Sequence, residues 1–184
     1  MNMRNRIFTG GTAVAVAALV VGLTTAGVAQ QDKSKRPSPP ATADVTLKSK
    51  KITVDYSRPS LRGRKLGTDL APYGYVWRVG ANEATTLTTA TNLDIGGVKV
   101  PAGTYTLYAL PAESGWKLII NKQTGQWGTE YHQEQDLARV DMKTSALPQL
   151  VEQFTISFNK KGDDTASLQL DWENTRVSVT VKAE

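Results

Sequence analysis

The stretch Gly103-Thr104-Tyr105-Thr106-Leu107-Tyr108-Ala109-Leu110, followed by Pro111-Ala112-Glu113-Ser114-Gly115 and Trp116-Lys117-Leu118-Ile119-Ile120-Asn121, decides the fold class. Tyr105, Leu107 and Ala109 alternate with Thr104, Thr106 and Tyr108. Trp116, Leu118 and Ile120 alternate with Lys117, Ile119 and Asn121. Successive side chains of a strand point to opposite faces, so a period of two gives each run one face for a core and one for water. Ala112–Gly115 is turn chemistry, and two such runs around a short turn predict an antiparallel hairpin.

The same period recurs outward in both directions. Ile52, Val54 and Tyr56 carry it, as do Phe154, Ile156 and Phe158. Leu168, Leu170 and Trp172 follow, then Val177, Val179 and Val181. Gly96-Gly97 between Leu93–Ile95 and Val98–Val100 is a two-residue hairpin signal. Lys160–Asp164, with Gly162, and Glu173-Asn174 separate the last runs. The expectation is an all-β protein, an antiparallel β-sandwich or partly closed barrel of about eight to ten strands. Leu107, Leu118, Ile120, Phe154, Ile156, Leu168, Leu170, Val177 and Val179 are expected inside. Helix is expected only in short pieces, at Leu66–Leu70 and at Ser145–Glu152, where Pro148 limits it.

Domain organisation follows from the termini and from composition. Arg4 and Arg6 precede an uncharged run from Ile7 to Val28, and Ala26-Gly27-Val28-Ala29 reads as a small-residue cleavage site. Residues 1–29 are therefore expected to be a signal peptide, with an uncleaved anchor as the alternative. Asn5 separates the two arginines, so the twin-arginine route is not indicated. Residues 30–42, with Arg36-Pro37-Ser38-Pro39-Pro40, read as a Pro-rich linker, and residues 43–184 as the β domain. The mature protein is expected outside the cytoplasm, periplasmic or extracellular, with no stable membrane insertion after cleavage. Losing Arg4 and Arg6 takes the formal charge from +5 to +3. That mild balance, without a basic stripe on the folded part, argues against a nucleic-acid partner. The chain has no cysteine, so its core must hold an exported fold without disulfides. Thiolate nucleophiles and thiolate metal sites are excluded with them.

The densest set of chemically capable groups is Trp77-Arg78-Val79-Gly80-Ala81-Asn82-Glu83-Ala84-Thr85-Thr86. Arg78 offers a planar fork of donors for a carboxylate or phosphate. Asn82 both donates and accepts, and Glu83 offers acceptors or, with a raised pKa, a proton. Arg58 and Arg64, in the irregular segment Ser57–Gly74, can join them as a cationic cluster. Trp127, between Gln126 and Gly128 in the irregular segment Lys122–Gln135, is the best candidate for an aromatic platform on the rim. Trp77, Trp116 and Trp172 read as core. The candidate ligand-binding set is therefore Arg58, Arg64, Arg78, Asn82, Glu83 and Trp127, with Arg78 beside Glu83. A structural reading stands next to it, in which Arg78 and Glu83 pair only to clamp a loop. No metal site or cofactor is indicated. His132 is the single histidine, and Asn159, Asp163 and Asp164 do not match the EF-hand spacing.

Tyr56-Ser57-Arg58-Pro59-Ser60, Gly63-Arg64, Val76-Trp77-Arg78, Gly80-Ala81-Asn82-Glu83-Ala84-Thr85, Pro101-Ala102-Gly103-Thr104-Tyr105 and Gln126-Trp127-Gly128 resemble a bacterial family, domain of unknown function 2911. The resemblance runs from about Ala43 to Lys182. It implies a secreted or envelope β-rich domain and transfers no catalytic residue. Three functions remain open at this level. One is an exported binding module for a small polar ligand, anionic or sugar-like. Another is a hydrolase of the glycosidase type using Glu83, which needs a second carboxylate at a suitable distance. The third is a structural or interaction domain of the cell envelope.

Overall fold

A computed structural model describes residues 32–184. The expected signal peptide and its cleavage site lie outside the described residues. Nine strands follow in chain order: β1 (Pro40–Leu47), β2 (Lys50–Ser57), β3 (Thr86–Thr89), β4 (Leu93–Ile95), β5 (Val98–Val100), β6 (Gly103–Leu110), β7 (Trp116–Asn121), β8 (Asp136–Lys160) and β9 (Thr165–Ala183). They form one antiparallel sheet in the order β1-β2-β3-β6-β7-β8-β9-β4-β5. The sheet does not close into a barrel, so that alternative is set aside. Its long β8 is shared between two halves, and β1 packs against both β8 and β9, which makes the arrangement sandwich-like.

The period-two runs fall where the sequence places them. Gly96-Gly97 joins β4 to β5 with Ile95 opposite Val98. Gly96 has φ +57°, and a Cβ there would stand 2.3 Å from Val140 Cγ1, so both the turn and the packing require glycine. Every residue expected inside is buried, from Leu107 at 0% exposure to Val179 at 5%. The core joins the two halves through an aromatic cluster. Trp77 stacks on Trp172 at 5.4 Å and meets Phe154 edge-on at 5.0 Å and Trp116 edge-on at 6.0 Å.

Three local expectations change. Leu66–Leu70 is a turn closed by a bridge between its ends, not a helix. Ser145–Glu152 is extended within β8, as Pro148 in an exposed bulged strand allows. Glu173-Asn174 does not end a strand. Glu173 takes φ +54° and β9 runs on, with a bulge opposite it between Ala146 and Val151. The folded part also begins earlier than Ala43, since β1 starts at Pro40 and residues 32–39 make side-chain contacts described below. Among the described residues no helix is long and apolar enough to cross a membrane.

A further departure positions the site. Strands β6 and β7 were expected to wet one face, yet Thr106, Tyr108, Ile119 and Asn121 on that face are all buried. The segment 122–132 covers them. Thr106 Oγ1 donates to Gln123 O at 2.7 Å, Tyr108 Oη donates to Glu130 O at 2.7 Å, and Asn121 Nδ2 donates to His132 O at 2.9 Å. Polar side chains on the outer face of central strands thus fasten a loop instead of meeting water.

Phe154 is 1% exposed at the centre of the aromatic cluster. Phe154→Ala is expected to lower unfolding stability by about 3–5 kcal/mol, because the surrounding indoles cannot collapse into the space. Urea melts followed by tryptophan fluorescence measure it, and a loss under about 1 kcal/mol would contradict the packing described.

Candidate functional site

Where β3 leaves the edge of β6, Trp77 takes its place. Trp77 N donates to Ala109 O at 2.8 Å, and Ala109 N donates back to Trp77 O at 2.9 Å. The chain then turns away through Arg78–Asn82. Val79 has φ +50°, Gly80 φ +148° and Asn82 φ +59°. A buried β-branched residue at positive φ is strained and needs its surroundings to hold it. Thr85 Oγ1 supplies one tie, donating to Val79 O at 2.7 Å. Asn82 Nδ2 supplies others, donating to Ser38 O at 3.0 Å and to Ser57 Oγ at 3.3 Å. Gly80 lies so close to β2 that a Cβ would stand 2.9 Å from Ser57 O.

This turn and the 122–132 loop run alongside each other, with Gly128 N donating to Asn82 O at 2.9 Å and Ala84 N donating to Gln126 O at 3.2 Å. Glu83 and Trp127 are the bridged pair between those bonds and share one side of the ribbon. Arg78 and Gly128 share the other. A Cβ on Gly128 would stand 2.9 Å from Arg78 Cδ, so the arginine stem lies across that glycine.

A cleft of about 470 Å³ opens on the Arg78 side. Trp77 and Trp172 contribute aromatic surface, Tyr108 and Tyr131 a wall, and Gly80, Ala81, Gly128 and Thr129 small groups. Ser38, Arg64 and Asp69 also border it. Arg78 is half-buried there and its Nε donates to Gly80 O at 3.3 Å. No carboxylate among the described residues pairs with it. Burial pulls its guanidinium down from the ordinary value, because the low-dielectric surroundings disfavour the charged form. Tyr131 is a fixed donor. Its hydroxyl donates to Asp136 Oδ2 at 2.7 Å and accepts from Arg139 Nη2 at 2.7 Å. Burial, followed by the Asp136 carboxylate, pushes the phenol up to about 12, so it stays protonated at neutral pH.

The expected site residues separate into two groups. Arg64 and Arg78 meet at the cleft, and Asn82 holds its turn. Arg58 does not join them. Its Nε donates to Phe154 O at 3.1 Å and its Nη2 to Thr155 Oγ1 at 2.8 Å, fastening the Pro59 segment to β8. Arg78 and Glu83 are not side by side: Arg78 borders the cleft, while Glu83 is bridged to Trp127 and does not border it. Glu83 instead accepts from Arg36 Nη1 at 2.9 and 3.0 Å and pairs with Lys33 Nζ at 3.0 Å. Trp127 is 45% exposed, as a platform would be, but lies on the Glu83 side and does not border the cleft.

Sequence reasoning missed the role of residues 33–38, read as a linker. The positive charges of Lys33 and Arg36 sit on an isolated acid of the main motif, and Ser38 forms part of the cleft edge. The available signal was charge complementarity between the tail and Glu83. Tyr108 was also missed, because a strand residue out of phase with the core reads as solvent-facing.

Glu83 is held down at about 2, first by its own backbone N–H and then by Lys33 and Arg36. Its folded pKa lies below the ordinary 4.5, so its contribution is present above about pH 4.5 and is lost as pH falls towards 2. The side chain is 42% exposed, so screening reduces that contribution to about 1 kcal/mol. Wild type is expected to lose about that much more stability than Glu83→Gln between pH 4.5 and pH 2 in parallel urea melts. Equal pH slopes would mean that the Lys33–Arg36 clamp adds nothing.

Comparison with known proteins adds one relationship. No curated protein and no solved structure matches the chain. A family model described as "Protein of unknown function (DUF2911)" matches residues 38–181, a span that begins at the cleft-edge Ser38 and ends near the last residues of β9. The chain therefore belongs to the DUF2911 family.

Proposed function

We propose that the protein is an exported binding module that takes the anionic group of a small ligand on Arg78, in the cleft between the Val79–Asn82 turn and the 122–132 loop. Arg78 carries the reading. Three arginines have acids of their own: Arg36 has Glu83, Arg139 has Asp136, and Arg176 has Asp171, while Arg58 is spent on Phe154 O and Thr155 Oγ1. Arg64 is held by backbone carbonyls, Leu61 O at 3.1 Å and Ser60 O at 3.0 Å. Neither cleft arginine is neutralised by a paired acid among the described residues. A half-buried, uncompensated guanidinium is costly, and an anionic ligand offsets that cost.

Glu83, the residue that a glycosidase reading needs, is clamped by two cations and ionised at neutral pH. That favours a structural part for Glu83 over general acid catalysis. The clamp reading thus applies to Glu83 and the ligand reading to Arg78.

Arg78→Met tests the proposal, because the thioether stem keeps the packing over Gly128 and only the charge is lost. The variant is expected to melt within about 1 kcal/mol of wild type, or slightly above it, while losing the thermal shift that small organic acids give the wild type. A destabilisation of about 3 kcal/mol or more, with no acid shifting the wild-type melt, would return Arg78 to a purely structural role.

Export rests on the sequence of the first 29 residues and is tested separately. Mass spectrometry of the native protein is expected to find a mature chain beginning at Gln30, which retains Lys33 and Arg36 for the clamp. An intact Met1 terminus in a membrane fraction would favour an anchor.

A further inference from the structure

A second surface shares no lining residue with the Arg78 cleft. It is the outer face of β1, β2, β3 and β6, where a hollow of about 200 Å³ is bordered by Lys33, Asp55, Glu83 and Thr86. The register sets side chains there in rows across the strands. Asp55 lies opposite Thr42 and Thr86, and Thr86 opposite Thr106. In the next row Thr53 lies opposite Thr88, and Thr88 opposite Thr104. Residues paired in this way share a face and stand about 5 Å apart. Thr85, Thr86 and Thr89 donate their hydroxyls to main-chain oxygens, whereas those of Thr53, Thr88 and Thr104 are tied to no protein group among the described residues.

The 122–132 loop stands on this face as a wall. Gln126 Nε2 donates to Thr106 Oγ1 at 3.2 Å, at the end of the Asp55 row. The next residue is Trp127, the one exposed tryptophan among the described residues. Trp77, Trp116 and Trp172 belong to the aromatic cluster instead. The bridge from Trp127 to Glu83 is flanked by the Gly128–Asn82 and Ala84–Gln126 bonds, which makes it a non-hydrogen-bonded pair, the closer of the two antiparallel types. Glu83 borders the hollow, so the indole is rooted at its rim.

Charge and chemistry narrow the ligand. Lys51 pairs with Asp44 at 3.9 Å, and Lys33 and Arg36 close on Glu83. With Asp55 included, the acids Asp44, Asp55 and Glu83 balance the bases Lys33, Arg36 and Lys51, so these groups carry no net charge. Unlike the cleft, this face offers an anion no advantage. It offers a flat indole beside free hydroxyls and a carboxylate, and Asp55 engages only Thr42. A pyranose ring matches that pattern. Its C–H face stacks on an aromatic ring, while its rim of hydroxyls donates to carboxylates and accepts from threonines.

We propose that this face binds a neutral oligosaccharide, with one sugar ring stacked on Trp127 and neighbouring units held by Asp55 and the Thr53–Thr88–Thr104 row. The face and the Arg78 cleft stand or fall separately, because they share no residue.

The full chain is titrated with cellohexaose, maltohexaose and N-acetylchitohexaose, all uncharged, and with hexagalacturonate as the charged counterpart. At least one neutral hexamer is expected to shift the tryptophan emission to the blue and to shield it from acrylamide, as covering an exposed indole does. Calorimetry then compares variants. Trp127→Ala is expected to melt as wild type does and to bind that hexamer roughly tenfold or more weakly, with Trp127→Phe retaining part of the affinity. Asp55→Ala, at an exposed position, is expected to weaken binding about tenfold, the loss of a charged acceptor. If no neutral hexamer binds, the proposal is overturned. A hexamer that binds Trp127→Ala and Asp55→Ala as tightly as wild type sits elsewhere, which overturns it too. Hexagalacturonate that binds more tightly than every neutral hexamer, and loses that binding in Trp127→Ala, would refute the neutral class.

Discussion

Everything near the cleft depends on one constraint: the outer face of β6 and β7 has to be covered. Thr106, Tyr108 and Asn121 lie on the central strands of the sheet, where a bare polar side chain would be half-desolvated without a partner. The 122–132 loop supplies acceptors for all three, and through Gly128 it then buttresses the Arg78 turn. The cleft is the gap left between that loop, the turn and the aromatic core. The cover is imperfect. Gln123 Oε1 and Gln126 Oε1 are buried without a hydrogen-bond partner, each a cost of about 1–3 kcal/mol.

Two kinds of arginine divide the labour of this surface. Those paired with acids, such as Arg139 with Asp136 and Tyr131, lock geometry around the cleft. Those held by main-chain oxygens, Arg64 and Arg78, are positioned without being neutralised. A carbonyl fixes the direction of a guanidinium and leaves its net charge in place, so the field at the cleft stays positive. Glu83, next along the chain from Asn82, is kept out of that field by Lys33 and Arg36.

The β class, the hairpins and the buried face were legible because a two-residue period is a direct image of strand geometry. Gly96-Gly97 between apolar runs fixed one hairpin, and Phe154, Ile156, Leu168 and Leu170 fixed the core. What escaped was the second covered face, since Thr106 and Tyr108 look solvent-facing until a distant loop is known to sit on them. Residues of the site were half legible for a similar reason. Arg64, Arg78 and Asn82 stand out by chemistry, but the left-handed residues between Arg78 and Glu83 leave no regular register from which to read where each side chain points. The partner of Glu83 lies in a Pro-rich tail whose composition signals a linker, and composition says nothing of where a single Arg36 docks.

The strand order has a consequence for how the chain can assemble. The hairpin β4–β5 pairs with nothing nearby in sequence. Its neighbour is the end of β9, with Leu93 opposite Ala183 and Ile95 opposite Val181. Strands β1, β2, β3, β6 and β7 can zip together in turn, but Leu93, Ile95 and Val100 stay uncovered until β9 is in place. Such distant pairings form late and leave apolar strand edges exposed to other chains in the meantime. Asp94 and Lys99, the charged residues facing each other across the hairpin, are the chain's own safeguard during that interval. Completion of the sheet is thereby tied to the arrival of β9, and a molecule lacking Val181–Ala183 would carry an open seam.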